Sequence, residues 1–151
     1  MNYKEYTVKV YDNGNRRWYV NDKLHREDGP ACEFANGDKF WYINGKCHRE
    51  DGPACEYSDG SKLWYLNDKC HREGGPACEY KNGDKFWHMN GKYHREDGPA
   101  VEYACGDRHW YINGRKLPEE EFNKQMNSCD GKVVEIDGKK YKLEEIKTGE
   151  R

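Results

Sequence analysis

The sequence predicts an all-β repeat array of antiparallel β-hairpins with a 23-residue period, followed by a short C-terminal helix and a terminal β-hairpin. Three observations point to this. All five tryptophans, Trp18, Trp41, Trp64, Trp87 and Trp110, stand 23 residues apart. Gly14, Gly37, Gly60, Gly83 and Gly106 keep the same spacing, as do Asn21, Asn44, Asn67, Asn90 and Asn113, and His25, His48, His71 and His94. Between these markers lie short runs such as Asp38 to Ile43, rich in aromatic and β-branched residues and bounded by turn residues, which is the pattern of strands.

Four full units run from Gly14 to Cys105, each close to G-D-K-F-W-Y-I-N-G-K-C-H-R-E-D-G-P-A-C-E-Y-x-N, and a partial fifth begins at Gly106. Thr7 to Gly14 aligns with Pro30 to Gly37, so the N-terminus reads as a degenerate cap strand and the array as residues 1–116. Within a unit, Asn36-Gly37 reads as a two-residue hairpin loop. That loop sets Cys32 opposite Trp41, Glu33 opposite Phe40 and Ala31 opposite Tyr42. Cys32, Phe34, Trp41 and Ile43 then share the core face, and Ala31, Glu33, Phe40 and Tyr42 the exposed one.

The histidine position becomes Leu117 at the end of the array. Pro118 at a helix N1 position, acidic Glu119, Glu120 and Glu121 in the first turn, and Phe122 four residues before Met126 predict a capping helix within 117–128. Val133 to Ile136 and Lys139 to Leu143 flank Asp137-Gly138 as a hairpin over 132–144, and residues 145–151 read as a disordered tail.

Composition narrows the function. The chain has 151 residues with 34% hydrophobic, 14% aromatic and 36% charged residues, which predicts a thin, aromatic core. The first residues lack the apolar stretch of a secretory signal and no run is long enough for a membrane span, so a cytoplasmic location without membrane binding is expected. A net charge of -2 gives no long-range attraction to nucleic acid. Seven cysteines in such a chain read as reduced thiols.

The run W-Y-x-N-G-K-x-H-R-E-D-G-P-A-x-E-Y-x-x-G, as in Trp41 to Gly60, resembles MORN-type repeats, most closely the H-R-x-D-G-P-A variety of phage and giant-virus proteins. The resemblance covers residues 7 to 116. It implies an elongated array of β-hairpins that acts by contact, as a scaffold or adaptor, without catalysis of its own. Arg49, Glu50 and Asp51 stand where the commoner pattern has a glycine-containing segment, so lipid association is not carried over.

Four chemistries compete for the conspicuous residues. Cys47-His48 with Cys55, and Cys70-His71 with Cys78, carry metal-ligand types. Leu24 and Tyr93 at the Cys47 position, and Val101 at that of Cys55, favour packing instead, so no metal and no cofactor are expected. Cysteine catalysis needs one convergent thiol, base and orienting group, whereas four equivalent histidines suggest a structural ladder; no enzyme is expected. The turns His25-Arg26, His48-Arg49, His71-Arg72 and His94-Arg95 could hold a phosphate or nucleotide between repeats. Their neighbouring carboxylates offer local partners instead, with Arg72 least paired because Gly74 replaces the aspartate. Finally, Tyr19, Phe40, Tyr42, Tyr65, Phe86 and Tyr111 read as a contact row for a protein partner. The expectation is a non-enzymatic binding protein, and the resemblance to phage and giant-virus repeats implies a host protein as its partner, with an anti-defence role. Sequestration of a small anionic ligand is the alternative, and an open sheet edge from Tyr3 to Tyr11 leaves homo-oligomers open.

Overall fold

Two turn chemistries divide every 23-residue unit into two hairpins. In the computed structural model, which describes residues 5–128 and 131–144, Cys32–Glu33 pairs antiparallel with Lys39–Phe40, and Tyr42–Ile43 with Lys46–Cys47. The first turn is a three-residue loop. Phe34 N–H donates to Asp38 O and Gly37 N–H to Phe34 O, both at 2.9 Å, and Gly37 takes φ +96°. This is a type I turn followed by a left-handed bulge residue. The second is a two-residue turn with Asn44 at φ 52° and Gly45 at φ 81°, the type I′ geometry that Asn-Gly favours.

The expected register is therefore off by one residue. Cys32 faces Phe40 and Glu33 faces Lys39, because the loop holds Ala35, Asn36 and Gly37 rather than two residues. A one-residue slip exchanges faces. Cys32, Phe34 and Phe40 share a side and Glu33 and Lys39 the other, while Trp41, where the chain leaves the sheet, packs against the core as expected. Ala31, expected in the open, is 0% exposed.

The first hairpins form one continuous antiparallel sheet. From the edge strand Thr7–Val10, its path passes through Arg16–Val20, Cys32–Glu33, Lys39–Phe40, Cys55–Glu56, Lys62–Leu63, Cys78–Glu79, Lys85–Phe86, Val101–Glu102, Arg108–Ile112 and Arg115–Leu117. Lys23–Leu24 branches from Arg16–Val20. Two cross-strand rows run its length. In one, Arg17, Cys32, Phe40, Cys55, Leu63, Cys78, Phe86, Val101 and His109 stand opposite one another. In the other, Arg16, Glu33, Lys39, Glu56, Lys62, Glu79, Lys85, Glu102 and Arg108 alternate in charge, and each opposed pair contributes about 0.2–1 kcal/mol.

At each tryptophan the chain leaves this sheet. Trp41 N–H donates to Ala54 O at 2.8 Å, and Trp41 O accepts from His48 N–H at 3.1 Å. The short hairpins that follow fold over the cysteine row. Cys47, Cys55, Leu63 and Cys78 are buried together, with Phe40, Trp41, Tyr42, Tyr65, Cys70 and Phe86 packed around them. Successive short hairpins are bonded to one another, Gly45 N–H to Leu24 O at 2.7 Å and Asp68 N–H to Cys47 O at 2.9 Å. The core is thus a thin layer between a sheet and a ladder of small hairpins.

The short helix and the terminal hairpin form as expected. The helix spans Glu119–Asn127, with Pro118 as its N-cap residue rather than its first helical one, and Phe122 and Leu117 are each 3% exposed. Val133–Ile136 pairs with Lys139–Lys142 across Asp137 and Gly138, both at positive φ. No helix among the described residues is long and apolar enough to cross a membrane. The expected tail at 145–151, Cys129 and the Tyr3 end of the edge strand lie outside the described residues.

Candidate functional site

The H-R-E-D-G-P-A segments lie between repeats, and their cationic side chains are consumed by the fold. Arg49 donates from Nε to Asp51 Oδ1 at 2.9 Å and from Nη1 to Pro53 O at 3.2 Å and Glu56 Oε1 at 2.9 Å. Its guanidinium lies 4.1 Å from the ring centroid of Trp41. Arg26 on Trp18 and Arg95 on Trp87 repeat this arrangement, at 4.2 and 4.0 Å. The arginines hold the carboxyls of Asp28, Asp51 and Asp97 below their ordinary value through these hydrogen bonds. Arg72 stacks on Trp64 at 3.8 Å and bonds Pro76 O and Glu79 Oε1 at 3.0 and 2.7 Å. It lacks the aspartate bond that Gly74 removes, yet it is held by its other partners and is not the free arginine the sequence suggested.

The histidines join one repeat to the next. Nδ1 of His48, His71 and His94 accepts the backbone N–H of Asn67, Asn90 and Asn113 at 3.1–3.2 Å. His25 does the same with Asn44 at 3.0 Å and is 1% exposed. Each bond reaches the left-handed asparagine of the following type I′ turn. The groove between the first two of these segments brings Arg26 and Arg49 together with Glu27, Asp28, Glu50 and Asp51. Carboxylates outnumber guanidiniums there by two. The next groove has Arg49 and Arg72 against Glu50, Asp51 and Glu73.

The opposite side carries aromatics, but not in the row expected. Phe40, Tyr42, Tyr65 and Phe86 pack on the core, and burial pushes the Tyr42 phenol up to about 12. Tyr19 lies under Lys9 Nζ at 4.7 Å, and Tyr111 against Tyr93 at 5.1 Å. The row that reaches solvent is offset from these. Tyr11, Tyr57, Tyr80 and Tyr103 are 36–40% exposed, with Phe34 half-buried among them. They alternate with core rings: Phe34 lies tilted against Phe40 at 5.2 Å, and Phe40 with Tyr57 at 5.3 Å, Tyr80 with Phe86 and Phe86 with Tyr103 at 5.5 Å make edge contacts. Sequence reasoning missed this row because it placed the three-residue loops wrongly. The signal was present, since Tyr11, Phe34, Tyr57, Tyr80 and Tyr103 are also 23 residues apart.

The loops beside this row are braced from repeat to repeat. Ala35 N–H donates to Asn15 Oδ1, Ser58 N–H to Asp38 Oδ1, Lys81 N–H to Ser61 Oγ and Ala104 N–H to Asp84 Oδ1, at 2.7–3.0 Å. A cleft opens on it, lined in part by Asp59, Tyr80, Asp84 and Phe86.

The thiols meet in pairs. Cys47 and Cys55 lie 3.6 Å apart, and Cys70 and Cys78 3.2 Å apart, both measured between Sγ atoms. The neighbouring histidines His48 and His71 take no part in these pairs, their Nδ1 atoms being committed to the turns. His88, which stands where the other units have Tyr19, Tyr42, Tyr65 and Tyr111, comes to Cys70 and Cys78 instead. No protein-family model matches this sequence, and no curated protein matches it.

Proposed function

We propose that the chain is a non-enzymatic binding protein that engages a protein partner through the ribbon of tyrosines formed by Tyr57, Tyr80 and Tyr103. One observation carries the reading: these rings are periodic, partly exposed, seated on core aromatics and flanked by loops braced across repeats. Rigid aromatic side chains lose little entropy on contact and contribute large area, which suits them to the centre of an interface. The resemblance of the repeat to the H-R-x-D-G-P-A variety of phage and giant-virus proteins makes a host protein the partner class, with neutralisation or scaffolding of a defence component in the cytoplasm as the outcome. The test is capture from a bacterial lysate with the wild-type chain and with Tyr57→Ser/Tyr80→Ser/Tyr103→Ser. A protein retained by the first and lost by the second is expected; equal retention contradicts the reading.

The alternative, sequestration of a nucleotide by His25-Arg26, His48-Arg49, His71-Arg72 and His94-Arg95, is less favoured. An anion entering these grooves meets an excess of carboxylate and guanidiniums already bonded to Asp, Glu and carbonyl oxygens. Saturable binding of mono- or cyclic nucleotides in calorimetry, abolished by Arg49→Ala/Arg72→Ala, would establish it.

A further inference from the structure

The fourth unit carries His88 where every other unit has tyrosine, and this departure completes a ligand set begun by two cysteines of the third. Cys70 closes a short hairpin opposite Tyr65, and Cys78 lies in the core row between Leu63 and Phe86. His88 opens the next short hairpin opposite Tyr93, whose ring lies 4.2 Å from its own. The two sulfurs and an imidazole nitrogen all lie within 4.8 Å of one another.

The polar accounting around this cluster is incomplete. His88 Nδ1 is buried and has no hydrogen-bond partner, whereas Nδ1 of His25, His48, His71 and His94 each accepts a turn amide. A buried ring nitrogen without a partner is unfavourable, because its hydration is lost and not replaced.

We propose that Cys70, Cys78 and His88 bind a zinc(II) ion, with two sulfur ligands, one nitrogen ligand and a fourth position taken by water. Thiolate and imidazole are the donors that select zinc among the common divalent ions. Zinc–sulfur bonds of about 2.3 Å in tetrahedral geometry set sulfurs roughly 3.8 Å apart, so the 3.2 Å pair must open by about 0.6 Å. Both sulfurs sit on short two-residue strands, and Cys70 is only partly buried, which leaves room for that movement. The chain contains its own comparison. Cys47 and Cys55 form the same thiol pair one unit earlier, but the residue aligned with His88 is Tyr65, which offers a phenol in place of an imidazole nitrogen. His48 and His71, adjacent in sequence to these thiols, have Nδ1 committed to turn amides, and the imidazole that completes the set comes from the following repeat.

The test uses the full chain, reduced and freed of metal, titrated with cobalt(II) and then zinc(II). One cobalt per chain is expected, with thiolate-to-cobalt charge-transfer absorption and the visible bands of a four-coordinate site, displaced by one equivalent of zinc. His88→Tyr restores the residue of the other units and so keeps the fold; it should lose the bands, as should Cys78→Ser, while Cys47→Ser should retain them. Melting curves of the apo variants establish that each is folded. Absence of the bands in the wild-type chain, their survival in His88→Tyr, or their loss in Cys47→Ser overturns the assignment.

Discussion

The guanidinium of Arg49 lies 4.1 Å from the ring centroid of Trp41 and reaches Glu56 Oε1 at 2.9 Å. One side chain thus ties a turn, the tryptophan before it and the sheet strand after it. The same three-way contact recurs at Arg26, Arg72 and Arg95.

Arg49→Ala should therefore cost about 1–2 kcal/mol, more than an exposed ion pair would, since stacking and a charge-assisted bond are lost together. Trp41→Ala should cost about 3 kcal/mol. Their double variant should be more stable than additivity predicts by about 1 kcal/mol. Chemical denaturation of the four proteins reads this coupling, and strict additivity would refute the contact.

Cys32 and Cys55 of the core row are packing residues with a permissive shape. Cys55→Val should change stability by less than about 1 kcal/mol, because Val101 fills the same position in the fourth unit at 3% exposure. Cys55→Ser should cost about 1–3 kcal/mol by burying a hydroxyl without an assured partner. Thermal melts of the two variants separate size from polarity.

Much of this fold was legible in the sequence, because a strict period fixes which residues are equivalent and the turn residues mark where strands end. Register was not. Asn36-Gly37 and Asn44-Gly45 are the same dipeptide, yet only the second has both residues at positive φ. The distinguishing signal lay in the aligned positions. Those of Asn44 are always asparagine and those of Gly45 are glycine or aspartate, whereas Cys105 occupies the position of Asn36, an unlikely occupant for a left-handed site. Choosing the wrong loop moved Phe40 and Phe86 to the surface on paper and hid Tyr57, Tyr80 and Tyr103. The approach of His88 to Cys70 was illegible for another reason: it is a contact between repeats, made by a residue that breaks the period.

Acid should weaken the turns. Asp28, Asp51 and Asp97 have carboxyls held below their ordinary value by arginine, so their stabilisation is complete above the unfolded value of about 3.9 and is lost as pH falls through the lower folded values. The melting temperature should fall below about pH 4. Asp28→Asn/Asp51→Asn/Asp97→Asn should flatten that profile, leaving the part due to Asp38 and Asp59, which backbone amides also hold low. Parallel profiles for wild type and variant would contradict the assignment.

Hydroxyl-radical footprinting reads, residue by residue, whether a partner contacts the tyrosine ribbon or the arginine turns. Comparing the free chain with its captured complex, the account predicts strong protection of Tyr57, Tyr80 and Tyr103, with Trp41, Trp64 and Trp87 unchanged beneath their arginines. Protection confined to the tryptophans and the H-R turns, with the three tyrosines as reactive as in the free chain, would contradict it.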